Sequence, residues 1–357
     1  MLFSPAAHEP LTETPWDAAK ARDAVAAIVA DAEQAFDDGW SVHPLDEEEW
    51  TPLKPHTLYL GGAGVVAALH RLGSERDWVP YLERAVEEPD FPDEDSERSL
   101  WGGEVGVRLV LQRLAPSREN RERLEQLIAA NGEDERCELM WGSPGTILAG
   151  RELGLDVTPS IEWLHRQRDE DGLWTQRLDG RVDKRLGPAH GFAGCVLALG
   201  GLDDVSETLL RFAVQEDGLV NWPPLARTRL DAQRDGLIRM QWCHGAPGIV
   251  ATLAPWIDEE LAVAAGELTW RAGPLRKGAT LCHGTAGNGY AFLALFDVTG
   301  DELWLSRARA FAMHANKQVE RAREQYGRAR YSLWSGDLGT ALYLEDCIRG
   351  FGELPLP

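Results

Sequence analysis

The sequence has 357 residues, 44% hydrophobic and 26% charged, which predicts a globular protein with a sizeable core. Its net charge of -22 argues against nucleic acids and acidic membrane surfaces as partners, because both attract cationic proteins. It contains neither an apolar stretch approaching ~18 residues nor a signal peptide, so we expect no membrane span and a cytoplasmic location.

The first predicted element is a charged amphipathic segment, residues 18–36, which is typical of a surface helix. It is followed by seven Gly-x-x-Gly motifs, numbered one to seven here, at intervals of 42, 39, 49, 54, 39 and 52 residues. A period of this size indicates a supersecondary unit that cannot bury its own apolar face. The glycine pairs are Gly61/Gly64, Gly103/Gly106, Gly142/Gly145, Gly191/Gly194, Gly245/Gly248, Gly284/Gly287 and Gly336/Gly339.

Each motif is followed by a short, almost wholly apolar segment, such as residues 65–69 or 249–253, which predicts a helix buried on most sides. The segments between motifs are amphipathic and charged, as in residues 118–130 and 303–323, and predict surface helices. We therefore expect an all-α fold, an α/α toroid of seven inner and seven outer helices, as a single domain over residues 1–357. The motif glycines would start the inner helices and let their backbones crowd together where a Cβ would obstruct them.

Two of the longer intervals contain Asp-Gly turns beside β-prone residues, at 170–174 and 216–220. Such turns favour β-hairpins. We expect both to form short hairpin insertions near the mouth of the toroid.

Motifs five and six carry metal-binding residue types at the same phase of the repeat. Cys243 precedes the fifth glycine pair, and Cys282 and His283 precede the sixth. Zinc favours thiolate and imidazole ligands, and a catalytic zinc site keeps three protein ligands and one open position. The sequence has no Cys-x-x-Cys, and free cysteine is often a buried packing residue. These residues alone therefore leave both a zinc site and simple packing open.

Three stretches in the last third of the chain resemble the motifs of one family. Residues 242–248 (WCHGAPG), 281–293 (LCHGTAGNGYAFL) and 332–340 (SLWSGDLGT) are similar to the fifth, sixth and seventh motifs of the LanC-like family, the lanthionine cyclases and their glutathione-binding eukaryotic relatives. The resemblance implies an α/α toroid with one zinc ion per chain, held by Cys243, Cys282 and His283. It also implies an enzyme that adds a thiol, from a peptide cysteine or glutathione, to a dehydroalanine or dehydrobutyrine to form a thioether.

The resemblance also implies roles for residues outside the metal set. His190, just before motif four, is expected to protonate the enolate adduct. Glu138, before motif three, is expected either to deprotonate the thiol or to orient the site. Arg239, four residues before Cys243, would steady developing negative charge. His244 stands where lanthionine cyclases tend to have tyrosine, so this further catalytic candidate favours the eukaryotic-type branch.

Lys277 and Arg330 resemble the residues that contact glutathione in that branch, where two cations would bind the carboxylates of the tripeptide. The expected partners are a thiol, a peptide or protein that contains a dehydroamino acid, and a separate dehydratase or kinase. We interpret Cys137, Cys195 and Cys347 as packing residues.

Two other functions remain open. The first is a non-catalytic zinc protein that binds thiol peptides or glutathione, or acts as a scaffold. The second is an α/α glycoside hydrolase, which would need two carboxylates flanking a sugar. No such pair stands out in the sequence.

Overall fold

The computed structural model describes residues 2–47, 52–90, 97–178, 180–226 and 238–357. Within these residues no helix is both long and apolar enough to cross a membrane. The α-helices described are, in chain order, α1 (Ala18–Gln34), α2 (Gly62–Arg71), α3 (Val79–Glu87), α4 (Glu104–Leu114), α5 (Arg118–Ala130), α6 (Ser143–Glu152), α7 (Thr158–Arg166), α8 (Phe192–Leu199), α9 (Val205–Phe212), α10 (Ala246–Leu253), α11 (Glu259–Ala272), α12 (Thr285–Thr299), α13 (Glu302–Tyr326) and α14 (Asp337–Arg349).

The seven even-numbered helices form the inner layer. Each begins directly after the first glycine of a motif, which occupies the N-cap position. Their small and apolar residues are buried around most of the helix: in α12, every residue from 285 to 293 is buried. The prediction that all seven motifs start inner helices is confirmed.

The seven odd-numbered helices form the outer layer and bury a single stripe. In α5 the buried positions are Asn120, Leu124, Leu127 and Ile128, the i, i+4, i+7, i+8 spacing of one helix face. The Ser117 hydroxyl caps this helix by accepting a hydrogen bond from the backbone N–H of Asn120 at 3.1 Å. Helices α1, α5 and α13 confirm the three predicted surface helices, with small differences at the ends of α1 and α13.

Backbone hydrogen bonds join the motif loops around the ring. The bonded residues stand two positions before the first glycine of their motifs: the N–H of Cys243 donates to the carbonyl of Cys282 at 3.1 Å, and that of Cys282 to Trp334 at 2.9 Å. The N–H of Trp334 then donates to Tyr59 at 3.4 Å, and that of Tyr59 to Trp101 at 2.9 Å. Motif seven is thus bonded to motif one, which closes the toroid.

The second glycine of each motif is required by this close packing. A Cβ on any of the seven would lie 1.7–2.4 Å from a carbonyl oxygen six residues earlier. It would also meet a side chain of the preceding motif around the ring, as Gly287 does with Trp242 and, across the closure, Gly64 with Leu333. The predicted crowding of backbones at the inner helix starts is confirmed.

Two antiparallel hairpins lie between motifs three and five, one formed by β1 (Gln176–Leu178) and β2 (Arg181–Asp183), the other by β3 (Val214–Glu216) and β4 (Leu219–Asn221). The second confirms the hairpin predicted at 216–220. The prediction for the first hairpin is wrong in position, because the strands begin at residue 176. Residues 170–174 form a turn closed by a single bridge between Arg168 and Trp174. The strands pair instead on either side of the next Asp-Gly pair in the sequence, residues 179–180, and Gln176 on β1 also donates to the carbonyl of Cys137 at 3.2 Å.

Candidate functional site

A cavity of about 390 Å³ opens at the end of the ring where the inner helices begin. Six of the seven motif loops contribute to its lining, through Tyr59, Gly102, Trp141, His190, His283 and Ser335. Asp46, Asp90 and Arg330 complete the polar part of the wall. Because the lining combines residues from six turns of the repeat, ring closure is what assembles the site.

Cys243 and Cys282 are brought together behind this wall. Both are 7% exposed, and the backbone N–H of Cys243 donates to the carbonyl of Cys282 at 3.1 Å. The Gln241 side chain donates to Cys243 Sγ at 2.9 Å, and the Tyr59 hydroxyl is hydrogen-bonded to the Cys282 thiol. Two buried sulfurs thus meet in a pocket that already supplies hydrogen-bond donors for negative charge.

The two thiols titrate as a pair. The hydrogen bond from Cys282 lowers the pKa of Cys243, and the same bond raises the pKa of Cys282 well above its ordinary value. Gln241 and the positive charge of Arg239 also lower the pKa of Cys243. The arrangement favours one thiolate and one thiol that share a proton.

His283 lines the cavity next to Cys282 in sequence. Burial, together with the charges of Lys277 and Arg330, lowers the pKa of His283 to about 4, so its ring is neutral at physiological pH. Neutral imidazole is the form that binds metals. Among the described residues, no group of three or more His, Cys, Asp or Glu side chains is arranged to hold a metal ion. The predicted donors fit zinc in chemical type, but Cys243, Cys282 and His283 do not form such a group in this structure.

His190 and Glu138 form the second polar pair of the site. Glu138 is fully buried, and its oxygens accept hydrogen bonds from the backbone N–H groups of Met140 at 3.0 Å, Trp141 at 2.5 Å and Gly142 at 3.0 Å. Its Oε2 lies 2.8 Å from His190 Nδ1. Burial opposes protonation of His190, but the hydrogen bond and charge of Glu138 outweigh it and raise the pKa of His190 above its ordinary value.

His244 occupies a different environment from His190. Burial and the charges of His190 and Arg239 lower the pKa of His244 to about 3, so the ring is neutral. Its Nδ1 is buried, with no hydrogen-bond partner in the described part of the chain. The described lining of the cavity includes His190 and His283 but not His244.

The three predicted cations differ in their surroundings. Arg239 and Lys277 are exposed, and their charges lower the pKa of both His244 and His283. Arg330 is largely buried and already has a partner, because its Nε lies 2.6 Å from Asp46 Oδ2 and its Nη2 is paired with Asp46 Oδ1. The two exposed cations act on both imidazoles through their charge, whereas Arg330 is part of the cavity wall.

The cysteines outside motifs five and six are consistent with packing. All five cysteines are buried free thiols. The Cys195 thiol donates to the carbonyl of Cys137 at 3.1 Å, and burial raises the pKa of Cys137 to about 12. Burial also raises the pKa of Cys347. These three thiols are thus poor nucleophiles.

Residues that we did not predict also support the site. Motif one contributes Tyr59, which interacts with the Cys282 thiol. Asn221, on β4, is fully buried, accepts from the N–H of Ala246 at 2.7 Å and donates to the carbonyl of Leu2 at 2.8 Å. Asn221 lies 25 residues before Ala246, so no local pattern in the sequence marks it as the partner of this helix start.

Comparison with known proteins gives consistent results. A family model described as lanthionine synthetase C-like protein matches residues 52–351. The chain is 37% identical over 126 residues to the protein named glutathione S-transferase LANCL1 of Danio rerio, an alignment covering 32% of this chain and 30% of that protein. It is 38% identical over 126 residues to LanC-like protein GCL1 of Arabidopsis thaliana, covering 32% of this chain and 28% of that protein. The aligned segment therefore spans less than a third of these curated relatives.

Among solved structures, the fold is similar to that of nisin cyclase. The TM-score is 0.59 at 16% sequence identity, and the match covers 92% of this chain and 94% of that one. At this identity the likeness shows a shared fold.

Proposed function

This chain belongs to the lanthionine synthetase C-like family, and we propose that it joins a thiol to a dehydroalanine or dehydrobutyrine residue to form a thioether. The observation that carries the proposal is that two pairs of residues from the motif loops lie at the same end of the ring. Cys243 and Cys282 supply two sulfurs in contact, and Glu138 holds a protonatable His190 on the cavity wall.

We infer that Cys243, Cys282 and His283 hold one zinc ion. Support comes from the donor types, from the contact between the two buried thiols and from the neutral state of His283. A zinc ion at these residues would lower the pKa of a substrate thiol and so make its sulfur nucleophilic near neutral pH.

In the proposed reaction the substrate sulfur attacks the β-carbon of the dehydroamino acid. A carbon–sulfur bond forms, the carbon–carbon π bond breaks, and the electron pair moves onto the carbonyl group as an enolate. The proton lost by the thiol is balanced by one delivered to the α-carbon. His190 is suited to deliver it, because Nδ1 is bound to Glu138 and Nε2 is left for the substrate.

Glu138 acts on this step through His190. Its oxygens already accept three backbone hydrogen bonds and one from the imidazole, so we assign it to positioning rather than to deprotonating the incoming thiol. The exposed cations Arg239 and Lys277 would stabilise negative charge that develops at the mouth.

The substrate thiol is either a peptide cysteine or glutathione. Arg330 and Lys277 would bind carboxylates of the tripeptide, with Arg330 exchanging its present partner Asp46 for the ligand. The dehydroamino acid must come from a reaction that removes water, or a phosphate group, from serine or threonine. A separate dehydratase or kinase would therefore act upstream on the peptide or protein.

A second candidate is a zinc protein that binds thiol peptides without turnover. The pairing of Arg330 with Asp46 bears on both candidates equally, because this cation must leave its partner before it can bind a ligand. The cytoplasmic location that we expect suits both functions, since each needs reduced thiols.

Elemental analysis and a product assay test the proposal together. We expect one zinc per chain in the purified protein, and less than half of that in Cys243→Ser or Cys282→Ser. With glutathione and a dehydroalanine peptide, mass spectrometry should show the peptide gaining the mass of one glutathione. Cys347→Ser, a buried thiol outside motifs five and six, is the matched control and should keep its zinc. A metal-free protein that forms the thioether would contradict the zinc assignment.

A further inference from the structure

Asp90 lines the cavity with one carboxylate oxygen buried and unpartnered. Its Oδ2 accepts a hydrogen bond from the backbone N–H of His56 at 3.0 Å. Its Oδ1 has no hydrogen-bond partner among the residues that the structure describes. Buried acceptors in folded proteins are almost always hydrogen-bonded, so the Asp90 carboxylate keeps unused hydrogen-bonding capacity at the cavity wall.

The cationic side chains of the wall are already committed elsewhere. Arg330 is paired with Asp46, and His190 with the buried carboxylate of motif three. The remaining lining imidazole, His283, is one of the proposed zinc donors. Within the described lining, therefore, none of these cations is left for Asp90.

The residues around Asp90 do not offset the cost of burying its negative charge either. The ring of His56 is hydrogen-bonded to the Tyr81 hydroxyl at 3.1 Å. Burial raises the pKa of Asp90 by more than the charge of His56 and the backbone hydrogen bonds lower it. A cation from outside the chain would stabilise the ionised carboxylate.

We propose that Asp90 binds the ammonium group of the thiol substrate and thereby selects thiol peptides with a free amino group. This inference rests on the proposed function, which supplies the thiol peptide as ligand. In glutathione the ammonium belongs to the γ-glutamyl residue, at the opposite end from the glycine carboxylate. An ammonium that donates to an ionised carboxylate forms a charge-assisted hydrogen bond, stronger than a neutral one.

A pair of ligands tests this recognition in the full-length protein. Glutathione is compared with glutaryl-Cys-Gly, which keeps the thiol and both carboxylates but lacks the amino group. Calorimetric titration should show the wild type binding glutathione tighter by about tenfold or more, the usual effect of a hydrogen bond to a charged group. In Asp90→Asn the preference should disappear, while the affinity for glutaryl-Cys-Gly stays the same. The amide oxygen of Asn can still accept from His56 N–H, so the fold should be preserved.

The controls separate recognition from stability and from turnover. Asp297→Asn, an exposed carboxylate outside the described lining, should leave both affinities unchanged. Equal loss of both ligands in Asp90→Asn, or equal affinity of the wild type for both, would overturn the role of Asp90 without touching the proposed reaction. Failure of the wild type to bind either thiol would overturn it as well. A wild type that discriminates between the ligands yet forms no thioether would support the role of Asp90 in recognition and contradict the proposed reaction.

Discussion

Glu138 and His190 are separated by 52 residues in sequence, yet Glu138 Oε2 lies 2.8 Å from His190 Nδ1. One residue precedes motif three and the other motif four, so the contact exists only because neighbouring turns of the repeat lie side by side. The buried carboxylate orients the imidazole and stabilises its protonated form. This relationship favours the protonated imidazole, the form that the proposed reaction needs as its acid.

Replacement of Glu138 by Gln should move the pH dependence of thioether formation. Burial lowers the pKa of His190, and the hydrogen bond and charge of Glu138 raise it above its ordinary value. Protonated His190 is the proposed acid, so removing the carboxylate charge lowers its pKa and shifts the alkaline limb of the pH–rate profile to lower pH. A profile that only decreases in height would indicate a purely structural role for Glu138.

Replacement of Asp46 by Asn should strengthen binding of glutathione. Arg330 now pairs with Asp46, which occupies the guanidinium that would otherwise bind a ligand carboxylate. Without that competing charge, KM for glutathione should fall by about tenfold, the effect of one charge-assisted hydrogen bond. Steady-state kinetics measure it, with the Asp297→Asn variant as control. A rise in KM would mean that Asp46 holds Arg330 in its binding orientation.

Replacement of Gly287 by Ala should destabilise the ring. The added Cβ would lie 1.7 Å from the carbonyl oxygen of Leu281 and 3.1 Å from Trp242 Cβ. Overpacking of this kind lowers the free energy of unfolding by about 1–3 kcal/mol. Urea denaturation measures it, with Gly218→Asn as the matched control. Gly218 has φ +75 and nothing within 4 Å of an added Cβ, and Asn tolerates this backbone, so equal losses would contradict the packing account.

The contribution of Glu9 to stability should be lost at acid pH. Burial raises the pKa of Glu9, but hydrogen bonds from Arg321, His314 and Gln318 outweigh it and lower the pKa to about 2, against 4.5 as the ordinary value. A lowered pKa in the folded state means that the stabilisation is present above the unfolded-state pKa and disappears as pH falls towards 2. The difference in free energy of unfolding between wild type and Glu9→Gln should therefore shrink between about pH 5 and pH 2. A difference that is constant over this range would rule out an ionic contribution.

Much of the fold could be predicted because short local sequence patterns mark each unit of the repeat. The first glycine of each motif marks a helix start, and the second marks a backbone contact, so both follow from spacing alone. The hairpin at 216–220 was placed correctly because its Asp-Gly turn joins the two strands directly. Residues 170–174 carry the same signal but form only a turn, and the strands pair around a second Asp-Gly pair, residues 179–180, so the local signal alone does not say which of the two forms the hairpin.

The contents of the site were less predictable, since they depend on long-range contacts. Tyr59 reaches the Cys282 thiol only because motif one follows motif seven around the closed ring. The Arg330–Asp46 ion pair joins residues 284 positions apart, and no local pattern marks Asp46 as its partner. A sequence motif identifies the chemistry of a side chain, whereas ring closure determines what that side chain contacts.

The most direct test of the central claim compares wild type and His190→Gln at equal zinc content. The substrates are glutathione and a dehydroalanine peptide, and the measured quantity is the initial rate of thioether formation by mass spectrometry. Loss of a general acid should lower the rate by about 100-fold or more, while zinc per chain stays unchanged. A variant as active as the wild type, or a wild type no faster than the uncatalysed reaction, would contradict it.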